Sequence, residues 1–240
     1  MKKTVAFALA LVLLLAVCGC GAKATKPASE PEASAAEPDA PAPTPVPETE
    51  SAEETPAVSE SEPAPGKHVL VVYFSRTGEN YTVGTIDQGN TAVVAEMIAR
   101  DTDADLFEIV PVTPYSDDYD ECLDVATEEQ RTNARPAYVD EVENWDSYDI
   151  VFFGYPIWWG DLPMIAYTFL ESHDWSGKTV IPFNTHEGSG QGGTQRTIEA
   201  LCSGAEVIDG LAVRGNTAQN DREAAESAVR DWLAGMVFFG

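Results

Sequence analysis

The run Val69-Leu70-Val71-Val72-Tyr73-Phe74 carries no charge and stops in Ser75-Arg76-Thr77-Gly78. A strand this uniformly apolar fits a sheet covered on both faces, because a half-exposed strand alternates polar and apolar side chains. The hydroxyls and glycine that follow suit a tight loop at its end. Thr91, thirteen residues after Gly78, opens a helix-like segment behind Gly89-Asn90. Strand, hydroxyl-bearing loop and helix start together can hold a phosphate. The first helical amides are unpaired, and the helix dipole favours an anion there.

The rest of the chain alternates strands and helices in the same way. Residues 91–99 read as a helix, 106–110 as a second strand, and 114–133 as a loop running into an acidic helix. Residues 150–154 read as a third strand and 163–170 as a short helix. A fourth strand covers 178–183, with Pro182 weakening its last rung. A helix follows at 193–201. Residues 205–208 and 211–213 share a fifth strand region, interrupted by Asp209-Gly210, and 221–233 form a terminal helix. This order predicts a parallel sheet with helices on both faces. Two later strands end in unusual loops, Gly154-Tyr155-Pro156-Ile157-Trp158-Trp159-Gly160 and Asn184-Thr185-His186-Glu187-Gly188-Ser189-Gly190. Ligands bind beyond the carboxyl ends of the strands in such sheets. Three such loops point to one aromatic, phosphorylated cofactor.

The ends of the chain read differently. Met1-Lys2-Lys3 precedes an apolar stretch from Val5 to Val17, too short for a span of about 20 residues and suited to an export signal. Val17-Cys18-Gly19-Cys20 resembles a bacterial lipoprotein signal, so residues 1–20 are expected to be a signal peptide ending near a lipidated Cys20. Cys18 is the weaker alternative, and ordinary secretion with two incidental cysteines is the plainer one. Residues 21–66 hold Ala, Pro, Glu, Ser and Thr without one aromatic side chain, which predicts a disordered, extended tether. Residues 67–240 are then one folded domain, anchored by lipid to the outer face of a bacterial membrane. The formal charge of −26 argues against a nucleic-acid partner, whose backbone needs Lys or Arg. Three scattered histidines give no metal motif. Cys122 and Cys202 remain after signal removal; whether they pair is open, and Cys122 reads best as a small buried residue on a helix.

At these residues the chain resembles the flavodoxin-like family. The matching pieces are Tyr73-Phe74-Ser75-Arg76-Thr77-Gly78, Gly89-Asn90-Thr91, the 154–160 loop and the 184–193 loop. The resemblance implies a three-layer α/β sandwich, a five-stranded parallel sheet in order 2-1-3-4-5, and noncovalent FMN. One feature departs from the family: its loop glycine runs almost directly into Asn-Thr, whereas here residues 79–89 intervene. The simplest expectation is an excursion that bulges outward and returns to the helix start.

Candidate cofactor-binding residues follow. Ser75, Arg76, Thr77, Gly78, Asn90 and Thr91 are expected at the phosphate, against the plainer reading of a locally capped helix. Pro156, Ile157, Trp158, Trp159 and Gly160 are expected near the ring, at least one tryptophan covering it, against a core role for both. Thr185, His186, Gly188 and Gly190 form the third loop, with His186 the candidate proton donor or relay and a loop-stabilising histidine equally consistent. The resemblance also places the segments of Tyr115, Asp117, Asp118, Tyr119 and Arg135-Pro136 over the cofactor edge, while Asp117 by its residue type reads better as the helix cap. The expected function is an FMN-dependent oxidoreductase or electron carrier with a redox donor and acceptor of unidentified chemistry. A homodimer is left open, and a noncatalytic surface lipoprotein is the alternative. An esterase using Ser75 or Ser189 lacks the GxSxG elbow.

Overall fold

The computed structural model describes residues 67–236. The expected signal at 1–20, the lipid-bearing Cys20, the tether at 21–66 and the last four residues lie outside the described residues. In chain order the elements begin with β1 (Val69–Tyr73), a hairpin of β2 (Gly78–Asn80) and β3 (Gly84–Ile86), α1 (Asn90–Thr102) and β4 (Asp105–Glu108). Then come α2 (Tyr119–Thr132), β5 (Ile150–Pro156), α3 (Met164–Ser172), β6 (Thr179–His186) and α4 (Thr194–Leu201). The domain closes with β7 (Glu206–Val207), β8 (Leu211–Arg214), α5 (Gly215–Asn220) and α6 (Arg222–Ala234).

The sheet runs β4-β1-β5-β6, with β7 and β8 end to end along the outer side of β6. All these pairings are parallel. Counting β7 and β8 as one track gives the expected order 2-1-3-4-5, built from six segments rather than five. The uniformly apolar first strand is explained by its two faces. Val71 and Tyr73 pack with α1 and α6 in one core. Leu70, Val72 and Phe74 pack with Phe169, Leu170 and Trp175 in the other. Every residue from Leu70 to Phe74 is buried, and each fully buried large apolar side chain contributes about 1.5–3 kcal/mol.

The split fifth strand has a local cause. The Val180 carbonyl accepts from the Ile208 amide, whereas the Thr179 amide donates to the Asp149 carbonyl, so alternate residues of β6 face opposite neighbours. Pro182, two past Val180, turns its missing donor toward the outer track, where residues 208–210 leave the ladder. Gly210 passes so close that a β-carbon there would lie 2.4 Å from the Pro182 carbonyl oxygen.

Several boundaries differ from those expected. β5 continues to Pro156 and β6 to His186, because Tyr155 pairs with Asn184 and Pro156 with Thr185. Thr185 and His186 are therefore last rungs of a strand, and the third loop starts at Glu187. The cap of α2 is Asp118, not Asp117: its carboxylate accepts from the Glu121 amide at 2.9 Å, while the Asp117 carbonyl accepts from Glu79. The intervening segment 79–89 is not a plain excursion but the β2–β3 hairpin. Cys122 and Cys202 are both free and buried. Among the described residues no helix is long and apolar enough to cross a membrane.

Candidate functional site

β1, β5 and β6 all end on the same side of the sheet, and a cleft of about 200 Å³ opens there. It brings together eight of the candidate residues: Arg76, Asn90, Pro156, Ile157, Trp158, Trp159, Thr185 and His186. Ser75 and Thr77 instead line a neighbouring hollow with Gln88, Gly89 and the acidic Glu96 and Glu108. Gly78 is buried against Asp117, and Thr91 is buried behind the cleft.

The helix start is built by contact across the insertion. A β-carbon on Gly89 would lie 2.2 Å from Ser75 Oγ and 2.6 Å from the Arg76 carbonyl oxygen, so the chain returning from the hairpin presses directly on the first loop. Asn90 and Thr91 therefore arrive beside Ser75 and Arg76 despite the late position in sequence. Ser75 Oγ accepts from the Ala92 amide at 3.1 Å, serving α1 as a cap supplied from another segment. Gly89, at the cap position itself, offers no side chain, and the first turn carries no acidic residue. Asn90 Oδ1 is buried without a hydrogen-bond partner. Thr91 and Thr185 share a 2.7 Å hydroxyl hydrogen bond that ties α1 to β6 beneath the cleft.

The tryptophan turn has unusual backbone. Trp158 and Asp161 exchange two backbone hydrogen bonds, each 2.9 Å. Between them Trp159 has φ 51° and Gly160 φ 78°, the left-handed pair of a tight hairpin turn. Glycine takes this conformation freely, but a tryptophan pays about 1–2 kcal/mol for it. The ring of Trp159 is nonetheless 58% exposed. Trp158 is held instead, edge-on to Phe74 at 5.5 Å and to Tyr115 at 5.1 Å.

His186 occupies the far wall. Its Nδ1 accepts from the Gly188 amide at 2.9 Å and the Gly190 amide at 3.1 Å. A nitrogen that accepts holds no proton, so the neutral ring carries its hydrogen on Nε2. Burial, then the Arg214 charge, hold its pKa below the usual 6.5, with Glu187 opposing. Glu187 Oε1 accepts from the Asn216 amide and fastens the loop to α5. The loop glycines also meet the tryptophan turn: a β-carbon on Gly192 would lie 2.9 Å from the Gly160 carbonyl oxygen.

Sequence reasoning missed the wall made by Asn80, Tyr81, Leu123 and Ala126. Asn80 and Tyr81 come from the hairpin. Tyr119, Cys122, Leu123 and Ala126 recur at helical spacing, a stripe that periodicity alone could have shown. Tyr81 and Tyr119 stack at 6.2 Å. Burial pushes the Cys122 thiol up, in keeping with a small packed residue. Arg135 and Pro136 lie in a different hollow, where Arg135 makes a two-bond pair with Glu171. No three His, Cys, Asp or Glu side chains group as metal ligands among the described residues.

β4 and β5 leave β1 in opposite directions, and the cleft lies beyond the strand ends at that reversal. This is the ligand-binding arrangement of doubly wound α/β proteins. The flavodoxin family model matches residues 68–233, and the chain belongs to that family. It is similar in structure to a Bacteroides eggerthii protein assigned as a flavoprotein, at 33% identity and TM-score 0.57, covering 70% of this chain and 97% of that one. A Bacteroides uniformis protein assigned likewise shows 28% identity and TM-score 0.55 over 69% and 99%. A Lactobacillus acidophilus flavoprotein solved in complex with FMN shows 23% identity and TM-score 0.49 over 65% and 98%. No curated protein matches the chain.

Proposed function

We propose that this domain binds FMN without a covalent bond and works as an oxidoreductase or electron carrier outside the cytoplasmic membrane, tethered by lipid on Cys20. The observation that carries the reading is a single cleft joining the start of α1 to the Trp158–Trp159 turn and to neutral His186. The family's usual ligand has a phosphate, a hydroxylated chain and a flat ring, and the residues present fit each part. The amides of the first α1 turn suit the phosphate, and that turn itself carries no acidic side chain. The orphaned Asn90 Oδ1 can accept from a hydroxyl. The tryptophans offer rigid apolar surface to a ring.

Bound FMN supplies transfer of one or two electrons. The chain's own residues hold the phosphate, exclude water from the ring and present a proton. His186 Nε2–H serves as that donor, its orientation fixed by the two glycine amides at Nδ1. A proton donor at the cleft favours an enzyme with a diffusible acceptor. The strongly acidic chain favours the second reading, a carrier docking on a basic partner.

The first test is titration of the purified full chain, in detergent, with FMN, followed by absorption. Stoichiometric flavin bands support the reading, and a well-folded chain that leaves FMN free in solution sinks it. Rapid reduction with NAD(P)H, then mixing with quinones, separates enzyme from carrier. Cys20→Ala should move the chain from the membrane to the soluble fraction, and continued membrane retention would count against the lipid anchor.

A further inference from the structure

Residues 79–88 separate the first loop from α1, yet they do not hang free. Two three-residue strands are too short to be stable by themselves. What holds them is Arg76. Its Nε and Nη2 donate to the Ser116 carbonyl at 2.9 and 2.7 Å, Nη2 also reaches the Asp118 carbonyl at 3.2 Å, and Nη1 donates to the Glu79 carbonyl at 2.5 Å. The guanidinium fork thus joins the first loop, the hairpin and the segment that caps α2. Further bonds close the same joint. The Glu79 amide donates to the Asp117 carbonyl at 2.8 Å. Asn80 Nδ2 reaches the carbonyls of Arg76, Thr77 and Gly78. Gly78 lies so close to Asp117 that a β-carbon would meet its backbone at 2.7 Å. Just past the far strand, Gln219 Nε2 donates to the Gln88 carbonyl at 2.6 Å. At the hairpin tip, Tyr81 stacks on Tyr119 of α2 at 6.2 Å with 23° between the rings. Both line the cleft that the Trp158–Trp159 turn also lines.

We propose that the hairpin is a third wall of the ligand cleft, that Tyr81 with Tyr119 receives a flat heteroaromatic ring, and that Arg76 is the positioning residue locking this wall rather than a phosphate ligand. The inference rests on the FMN reading for the identity of the ring. The lock itself is a property of the chain alone. A guanidinium already bound to three carbonyl oxygens is poorly free to turn to a phosphate, whereas its removal leaves the hairpin without its central tie.

The experiment compares Arg76→Ala, Arg76→Lys and Tyr81→Ala in the full chain, using FMN and riboflavin, which lacks the phosphate. Arg76→Ala should weaken both flavins by the same factor, about tenfold for the loss of charge-assisted bonds. Tyr81→Ala should do likewise by a smaller factor and restore part of the fluorescence quenched on binding. Its side chain is 61% exposed, so this variant should fold. Arg76→Lys should recover part of the affinity for both ligands. Loss of FMN binding with riboflavin untouched would make Arg76 a phosphate ligand and overturn the proposal. Hydrogen exchange on the flavin-free protein gives a separate decision: the Glu79 amide should exchange faster in Arg76→Ala. If wild type takes up neither flavin, the FMN reading falls while the exchange result still decides the lock. Unchanged Glu79 protection in Arg76→Ala would refute it.

Discussion

Trp159 combines a strained backbone with an exposed indole, and a residue held that way is usually held for a ligand. Trp159→Gly is expected to stabilise the fold by about 1 kcal/mol through relief of the left-handed conformation and to weaken flavin binding; urea unfolding and flavin titration check the two halves. His186 gives a pH prediction. In the unfolded chain it protonates near 6.5, and in the fold its pKa lies lower. Between the two values the unfolded chain takes a proton the folded one refuses, so the stability this group supports is complete above 6.5 and is lost as pH falls toward the folded-state value. Half-buried His173, also held low by desolvation, adds to the same trend. Protonating His186 at Nδ1 also expels the Gly188 and Gly190 amides. Amide NMR should show these two shifting together with the imidazole on acidification; an independent response would contradict the bonding described. At this scale the sequence placed Ser75 among the phosphate hydroxyls. Only the fold shows its oxygen on the Ala92 amide.

At the scale of elements, two glycines separate stability from binding. A β-carbon on Gly154 in β5 would lie 2.1 Å from the Phe183 ring, and one on Gly89 would lie 2.2 Å from Ser75 Oγ. Each Gly→Ala change forces neighbours apart and should cost about 1–3 kcal/mol. Gly154→Ala is expected to lower the urea midpoint while the folded fraction keeps most of its flavin affinity. Gly89→Ala should lower both, because it displaces the α1 start from the first loop. The strands and helices were legible because apolar runs and helical spacing are local. Their ends were not. β5 and β6 gain rungs from each other through Tyr155–Asn184 and Pro156–Thr185, and no single strand records that its neighbour continues. The hairpin was read only as an excursion for a similar reason: it closes on Asp117 and, through Arg76, on Ser116, both far from it in sequence.

Over the whole molecule charge dominates, with 40 acidic against 14 basic residues. A net negative field disfavours adding electrons to a bound ring. The two-electron midpoint of bound FMN is expected below that of free FMN, and the gap should narrow as salt shortens the Debye length from about 30 Å at 0.01 M to about 8 Å at 0.15 M. Redox titration at both ionic strengths checks this, and a strongly raised midpoint would show that local contacts outweigh the field. The alternation of apolar strands with amphipathic helices, written residue by residue, determined the layered parallel sheet, and the loop motifs after its strands carried the resemblance to the family. It did so because burial depends on side-chain pattern and each element carries its own. Only the tertiary structure decided which side chains share the cleft. It sent Ser75 to α1, Arg76 to the carbonyls of Ser116, Asp118 and Glu79, and Tyr81 onto Tyr119. Those choices are made by hydrogen bonds and ring contacts between different segments, and such contacts leave no period in the chain.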